Sequence, residues 1–200
     1  MNEVIVIFGK RGSGKTTLAK RLILGRKRIF IFDTLREYGV GLITYDIFKA
    51  MEFLVEREHK IFRISYSPEI EEKKAFGYVC ELLYSMKNFT FLVEEIDNYC
   101  SAQATPELLS KIIRYGRHQA ISLITTARRT ADVPRLLTSQ ATDFYIFAHH
   151  EPRDLDYFSH LFSSEISERI RRLQDFQYLH LRPESDKVEV KEITFKRWKT

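Results

Sequence analysis

Gly9-Lys10-Arg11-Gly12-Ser13-Gly14-Lys15-Thr16 is the stretch on which the reading of this 200-residue chain turns. It spells G-x-x-x-x-G-K-[ST], the loop that wraps phosphate groups. An apolar run, Val4-Ile5-Val6-Ile7-Phe8, precedes it, and a helical pattern from Thr16 to Leu24 follows, which is the strand, loop and helix context the motif requires. Glycines at 9, 12 and 14 let the loop wrap closely, so that backbone N–H groups of Gly9, Lys10, Arg11, Gly12, Ser13, Gly14, Lys15, Thr16 and Thr17 can point inward at phosphate oxygens. The helix start adds its positive dipole end. Lys15 is spaced to reach the β and γ phosphates, and the Thr16 hydroxyl to bind Mg²⁺. The stretch therefore reads as a nucleoside triphosphate site rather than a chance glycine-rich turn.

Outward from this loop the chain alternates strand and helix. Arg28 to Phe32 reads as a second strand ending at Asp33, Asp46 to Glu58 as a helix, and Lys60 to Ile64 as a third strand. Ser67-Pro68-Glu69 has the cap, proline and first-turn acid of a helix start, predicting a long helix to about Met86. Phe89 to Val93 is the fourth strand, Thr105-Pro106-Glu107 opens a helix to Tyr115, and Ala120 to Thr126 and Phe144 to Ala148 are the fifth and sixth strands. Two short helices between Glu151 and Leu173 precede Phe176 to Leu181 and Lys187 to Phe195, read as a hairpin around Pro183-Glu184-Ser185-Asp186. Such alternation with apolar strands predicts an α/β fold, a mostly parallel sheet with helices on both faces and ligands bound beyond the carboxyl ends of its strands.

Composition sets the outer limits. With 44% hydrophobic and 13% aromatic residues, the 200 residues suit a single domain spanning 1–200. The longest apolar runs are strand-length, short of the ~20 residues of a bilayer span, and the start lacks a basic leader. The expectation is a soluble intracellular protein without direct membrane insertion. Cys80 and Cys100 have no metal-ligand spacing and read as buried or free thiols. The net charge of +5, from 32 Lys+Arg against 27 Asp+Glu, is compatible with nucleic acid without requiring it. A charged content of 30% with few amides hints at a thermophilic source.

Behind the fourth strand comes Glu94-Glu95-Ile96-Asp97. Two carboxylates at the tip of a buried strand suit hydrolysis of a Mg²⁺-bound triphosphate. One supports the metal through water, and the neighbour polarises the attacking water. Glu94 is assigned the metal role and Glu95 that of base, although Asp is commoner than Glu at the first position. Farther on stand Arg114-Tyr115-Gly116-Arg117-His118, an apolar strand, and Ala127-Arg128-Arg129. With the loop and the acid pair, this series from Val4 to Phe158 resembles the FtsK/HerA superfamily of ring ATPases. The fold implied is a P-loop NTPase of the ASCE, RecA-like type, a three-layer sandwich closed here by a C-terminal β-hairpin. The resemblance implies Arg117 as an arginine finger acting on a neighbouring subunit's nucleotide, and Arg128 at the polar sensor position, reaching the γ-phosphate of its own subunit. A motor of this length without appended domains looks like the genome-packaging ATPases of tailless, membrane-containing icosahedral viruses, turreted archaeal ones included.

The function this implies is an ATP-hydrolysing double-stranded DNA translocase that packages a viral genome. ATP and Mg²⁺ are its cofactors, a homo-oligomeric ring of five or six subunits its assembly, and procapsid vertex proteins its further partners. Its expected place is the host cytoplasm or the virion. Translocation over arbitrary sequence needs backbone contacts that read no bases. The cationic segments Ala127 to Arg135 and Phe195 to Lys199 are candidates, whereas Arg169 to Arg172 reads as a solvated helix face. His149-His150 lie side by side on a strand and point apart, which argues against a shared metal. Two other classes remain: a small P-loop kinase using Asp33 and Arg36 as acceptor contacts, and a nucleotide-gated assembly switch without turnover.

Overall fold

The computed structural model describes residues 3–69, 72–101, 103–183 and 185–193. Nine strands form one sheet in the order β3-β4-β2-β5-β6-β1-β7-β8-β9. They are β1 (Val4–Phe8), β2 (Arg28–Phe32), β3 (Leu42–Thr44), β4 (Phe62–Tyr66), β5 (Phe89–Val93), β6 (Ile121–Ala127), β7 (Asp143–Phe147), β8 (Gln177–Arg182) and β9 (Ser185–Glu192). Pairing is parallel from β3 through β7, with Phe8 opposite both Ala127 and Ile146. The hairpin β8–β9 then adds antiparallel, Phe147 lying opposite Tyr178. Placing β6 between the loop-bearing β1 and the acid-bearing β5 leaves room between their tips for phosphates and a metal.

The alternation of side chains along buried strands divides the core in two. Val6, Phe8, Phe30, Phe32, Phe91 and Val93 face one side. There they meet α2 (Ile47–Val55), α3 (Glu72–Tyr84), α4 (Glu107–Tyr115), α5 (Arg135–Ser139), α6 (Pro152–Leu161) and α7 (Ser164–Arg171). Ile5, Ile7, Ile29, Ile31 and Leu92 face the other, covered by α1 (Lys15–Leu22), by Tyr38 and Val40 of the loop after β2, and by Ile193. The two outer layers are therefore unequal, and the thin one is the layer that carries the phosphate loop. The α/β fold with its mostly parallel sheet and terminal hairpin matches the expectation.

Three local readings are corrected. Ser67-Pro68-Glu69 are not helical, and the helix is described from Glu72 onward. The Ser67 N–H donates to the Thr44 carbonyl at 3.0 Å and its hydroxyl to the Asp33 carbonyl, so the strand edge claims the residue before it can cap. Strand β3 was not foreseen because it has three residues and only Thr44 is buried, too short to show a period. Helix α5, of five residues, escaped for the same reason. The helix expected from Asp46 is present, and Asp46 caps it, its carboxylate accepting the Phe48 N–H at 2.8 Å. Cys80 and Cys100 are free and buried, and burial raises both thiols, Cys100 to about 12. No helix among the described residues is long and apolar enough to cross a membrane.

Candidate functional site

The loop between β1 and α1 turns through two closely packed glycines, Gly9 and Gly14. At Gly9 a Cβ would stand 2.5 Å from Ser13 Oγ and 3.0 Å from Phe147 Cβ. At Gly14 the backbone has φ +105°, and a Cβ would meet Ile193 Cδ1 at 2.6 Å. The wrapped loop leaves Lys15 buried, with Nζ donating to the carbonyls of Gly9 at 2.7 Å and Lys10 at 3.2 Å. Burial lowers the Lys15 ammonium pKa, opposed by the nearby Glu95 carboxylate. These bonds hold the amine over the loop, where an anion would find it.

Opposite the loop, β5 ends at Val93 and the acid pair follows. Glu94 is 2% exposed, and Thr16 Oγ1 donates to its Oε1 at 3.4 Å. Its other oxygen, Oε2, is buried without a hydrogen-bond partner. Burial and the neighbouring carboxylates of Asp33, Glu37 and Glu95 push Glu94 up to about 8. A hydroxyl and a buried carboxylate oxygen lacking a donor make a hard oxygen pair, of the kind that holds Mg²⁺ with waters and phosphates completing its shell. Thr16 and Glu94 thus fit the metal assigned to them.

Glu95 takes a left-handed conformation, φ 51°, ψ 57°, at a cost of ~1 kcal/mol or more for a residue with a Cβ. Its N–H donates to Thr126 Oγ1 at 2.9 Å, and its carbonyl accepts from the Asn98 N–H at 2.9 Å. The turn separates the two carboxylates, Glu94 toward Thr16 and Glu95 toward the end of β6. There the Arg128 guanidinium grips Glu95 through both carboxylate oxygens. Asp97 Oδ2 accepts the backbone N–H groups of Arg128 at 3.2 Å and Arg129 at 3.3 Å, fixing the arginine's base. Burial raises the Asp97 pKa against those bonds. Arg11, Gly12, Lys15, Thr16, Glu94 and Arg128 line a cavity of about 330 Å³ whose mouth includes Leu35 and Glu37.

Arg117 lies elsewhere. It sits in the turn Gly116–Gln119 that feeds the start of β6, whereas Arg128 follows its end. The seven residues of β6 put them ~20 Å apart. The other sequence candidates scatter as well. The segment after β6 is pinned by Thr130, which donates to Asp154 Oδ1 at 2.6 Å, and by buried Val133, while Arg129 and Arg135 stay exposed. Arg171 and Arg172 pair with Glu168 on α7, a solvated face as read. Phe195 to Lys199 lies outside the described residues. His149 is buried and His150 exposed.

Sequence reading missed Asp97 as the anchor of Arg128 and the contact of Arg128 with Glu95. Asp33 was weighed only as a kinase contact. It is 1% exposed, and its two oxygens accept the N–H groups of Glu37 at 2.9 Å and Tyr38 at 3.0 Å, which shapes the loop at the cavity mouth. Arg36 stacks on Tyr45 at 4.5 Å. No pattern in the sequence announces the contacts of Arg128 with Glu95 and Asp97, because they join strand ends whose adjacency only the strand order reveals.

Residues 2–176 match the family model described as poxvirus A32 protein. No curated protein matches the chain in sequence. Among solved structures, the genome packaging NTPase B204 of Sulfolobus turreted icosahedral virus 2, in complex with AMPPCP, has a TM-score of 0.81 at 17% identity, covering 98% of this chain and 99% of that one. B204, the DNA-packaging ATPase of Sulfolobus turreted icosahedral virus, reaches 0.71 at 19% identity, covering 97% and 100%. VirB4 of Thermoanaerobacter pseudethanolicus reaches 0.68 at 14% identity, covering 98% and 90%. At these identities the structural likeness concerns the fold. The resemblance read from the loop, the acid pair and the arginines is borne out.

Proposed function

The chain belongs to the poxvirus A32 protein family, and from that premise we propose that it is an ATP-hydrolysing motor that drives double-stranded DNA into a viral capsid. The observation that carries this reading is the cavity where the loop, Glu94, Glu95 and Arg128 converge at the ends of β1, β5 and β6. With the Gly9 N–H held by the Ala127 carbonyl, backbone N–H groups from Lys10 to Thr17 cradle the phosphates, and Lys15 leaves the carbonyls of Gly9 and Lys10 for the β and γ phosphates. Thr16 and, through water, Glu94 hold Mg²⁺, which neutralises charge on the phosphate oxygens. Glu95 orients the attacking water and accepts its proton. Arg128 turns from the Glu95 oxygens it grips to the γ-phosphate of the same subunit, where it stabilises charge and leaves Glu95 free to act.

Arg117 serves the neighbouring subunit's nucleotide. Its distance from its own cavity supports action across a boundary. An exposed apolar stripe supports assembly with further copies: Phe48 is 75%, Met51 38% and Val55 73% exposed on α2, beside Ile43 on β3. It adjoins the cavity mouth through Tyr45, on which Arg36 stacks. A ring of five or six subunits, with Arg129 and Arg135 offered to the DNA backbone and vertex proteins holding the motor to the procapsid in the host cytoplasm or virion, completes the reading. The kinase alternative loses its acceptor contacts, because both Asp33 oxygens are occupied by backbone N–H groups.

The test is phosphate release from ATP with and without duplex DNA, with Glu95→Gln as the blank. Turnover stimulated by DNA and abolished in the variant is expected. Equal turnover by the variant removes Glu95 as base, and nucleotide binding without any turnover, with procapsid present, favours the assembly switch.

A further inference from the structure

Glu94, Glu95 and Arg128 all lie on the β5–β6 side of β1. They fix the γ end of a triphosphate there. A nucleotide stretched across the loop must then carry its ribose and base away from them, toward β7 and β8 on the other side of β1. What waits on that side is the end of the terminal hairpin. A Cβ at Gly14 would lie 3.5 Å from Phe176 Cδ1 and 3.5 Å from Phe147 Cε1. The Phe176 carbonyl accepts the Ile193 N–H at 3.0 Å, which ties the ring's own residue to the strand that closes over the loop.

Phe176 differs from its neighbours. Phe147 and Tyr178 are packed into the core on the α1 side, whereas Phe176 is 37% exposed. It also has φ 63°, in the left-handed region that disfavours a side chain. A large aromatic ring more than a third exposed, on left-handed backbone, thus stands beside the last glycine of the phosphate loop. It is well placed to stack on a planar ring entering from the loop.

We infer that Phe176 is the platform on which the nucleotide base stacks, with the Ile193 side chain closing the same corner. The inference rests on the triphosphate site proposed above. Stacking uses the π-face that every base has, so the ring holds adenine and guanine alike and reads neither by hydrogen bonding.

The experiment measures equilibrium binding of ATP, GTP and inorganic tripolyphosphate, each with Mg²⁺, to the full chain and to Phe176→Gly and Phe176→Trp. Glycine accepts φ 63° without strain, so that variant removes the ring while keeping the turn, and a cooperative thermal transition shows that the fold is retained. The expected result is a loss of roughly ten- to a hundredfold in ATP and GTP affinity for Phe176→Gly, with tripolyphosphate unchanged and Phe176→Trp within a few-fold of wild type. Equal weakening of tripolyphosphate makes Phe176 a prop for the loop and overturns the inference, as does unchanged ATP affinity or a tryptophan variant as weak as the glycine one. Failure of the wild type to bind tripolyphosphate or ATP strikes the triphosphate site itself.

Discussion

At the carboxyl end of β5, Glu94 is buried and Asp97 half-buried, each with one buried oxygen that lacks a hydrogen-bond partner. At the start of β7 the Asp143 carboxylate is met by His180 Nε2 at 2.7 Å, Arg182 Nε at 2.9 Å and the Thr142 hydroxyl at 3.0 Å. The same kind of group responds in opposite directions. Burial pushes Glu94 up to about 8 and raises Asp97. At Asp143 burial also raises the pKa, but the bonds to His180, Arg182 and Thr142 outweigh it and the net shift is downward. Four strands away on the same amino-terminal side, Arg28 donates to the carbonyls of Arg57, Glu58, Lys60, Lys87 and Asn88. Around Asp143 and Arg28 the amino-terminal end is internally satisfied and serves cohesion, although Arg63 Nε and Gln119 Oε1 on that end are buried without a partner. The other keeps polar capacity open, which costs stability and leaves room for a ligand.

The sharpest way to break this contrast uses Arg117, a cation on the satisfied side whose proposed work lies in a neighbour's cavity. Arg117→Ala should lower turnover about 10³-fold or more, as removal of an arginine finger does, with the thermal midpoint unchanged. Mixing it with Glu95→Gln protomers should restore part of the activity, since some boundaries then pair an intact finger with an intact base. Mixtures as inactive as their components, or an unfolded Arg117→Ala, would return Arg117 to the satisfied end as an ordinary structural residue.

A smaller effect is expected from Asp143→Asn, which should cost about 1–3 kcal/mol in urea denaturation at pH 7, because the amide keeps one acceptor oxygen but loses the negative charge beside Arg182 and the oxygen that accepts from Thr142. The sign of its pH dependence follows from the depressed pKa. Asp143 contributes in full above its unfolded pKa, ~3.9, and that contribution is lost as pH falls through the folded value. The variant's deficit should therefore shrink toward pH 3. A deficit independent of pH would mean that the carboxylate's charge is not what joins β7 to β8.

Glu94→Gln should have the smallest effect and the opposite sign. In ligand-free protein the folded state holds the Glu94 proton up to about 8, while the unfolded chain releases it in the ordinary carboxylate range. Wild-type stability then falls as pH rises between those values. The amide removes that loss, giving about 1 kcal/mol at pH 8 in chelator, reduced from the full linkage because the site is part open to water. Destabilisation at pH 8 would show that Glu94 is structurally paired and erase the contrast with Asp143.

Legibility followed contiguity. The phosphate loop could be read because eight consecutive residues must do one job in one order. Glu94 and Glu95 were readable because an apolar strand delivers them, and the terminal hairpin because its two strands are sequence neighbours. Ser67 misled because a helix cap and a strand-edge hydroxyl use the same chemistry, and the choice between them depended on Thr44 and Asp33. The Arg128 clamp on Glu95 was hidden in another way, since each residue was found but their contact joins two strands separated by α4.

By itself the sequence determined the strand–loop–helix unit, the alternation that makes the sheet parallel and the residues that can hold phosphate and metal, because these depend on local backbone chemistry and on periods of two and 3.6 residues. Only the tertiary structure decided which strand tips stand together. Strand order set β5 and β6 on one side of the loop and the hairpin on the other, and so brought Arg128 to Glu95, Asp33 to the mouth and Phe176 to Gly14. The physical reason is that pairing between distant strands is chosen by the total fit of the buried faces, a quantity that no short stretch of residues contains.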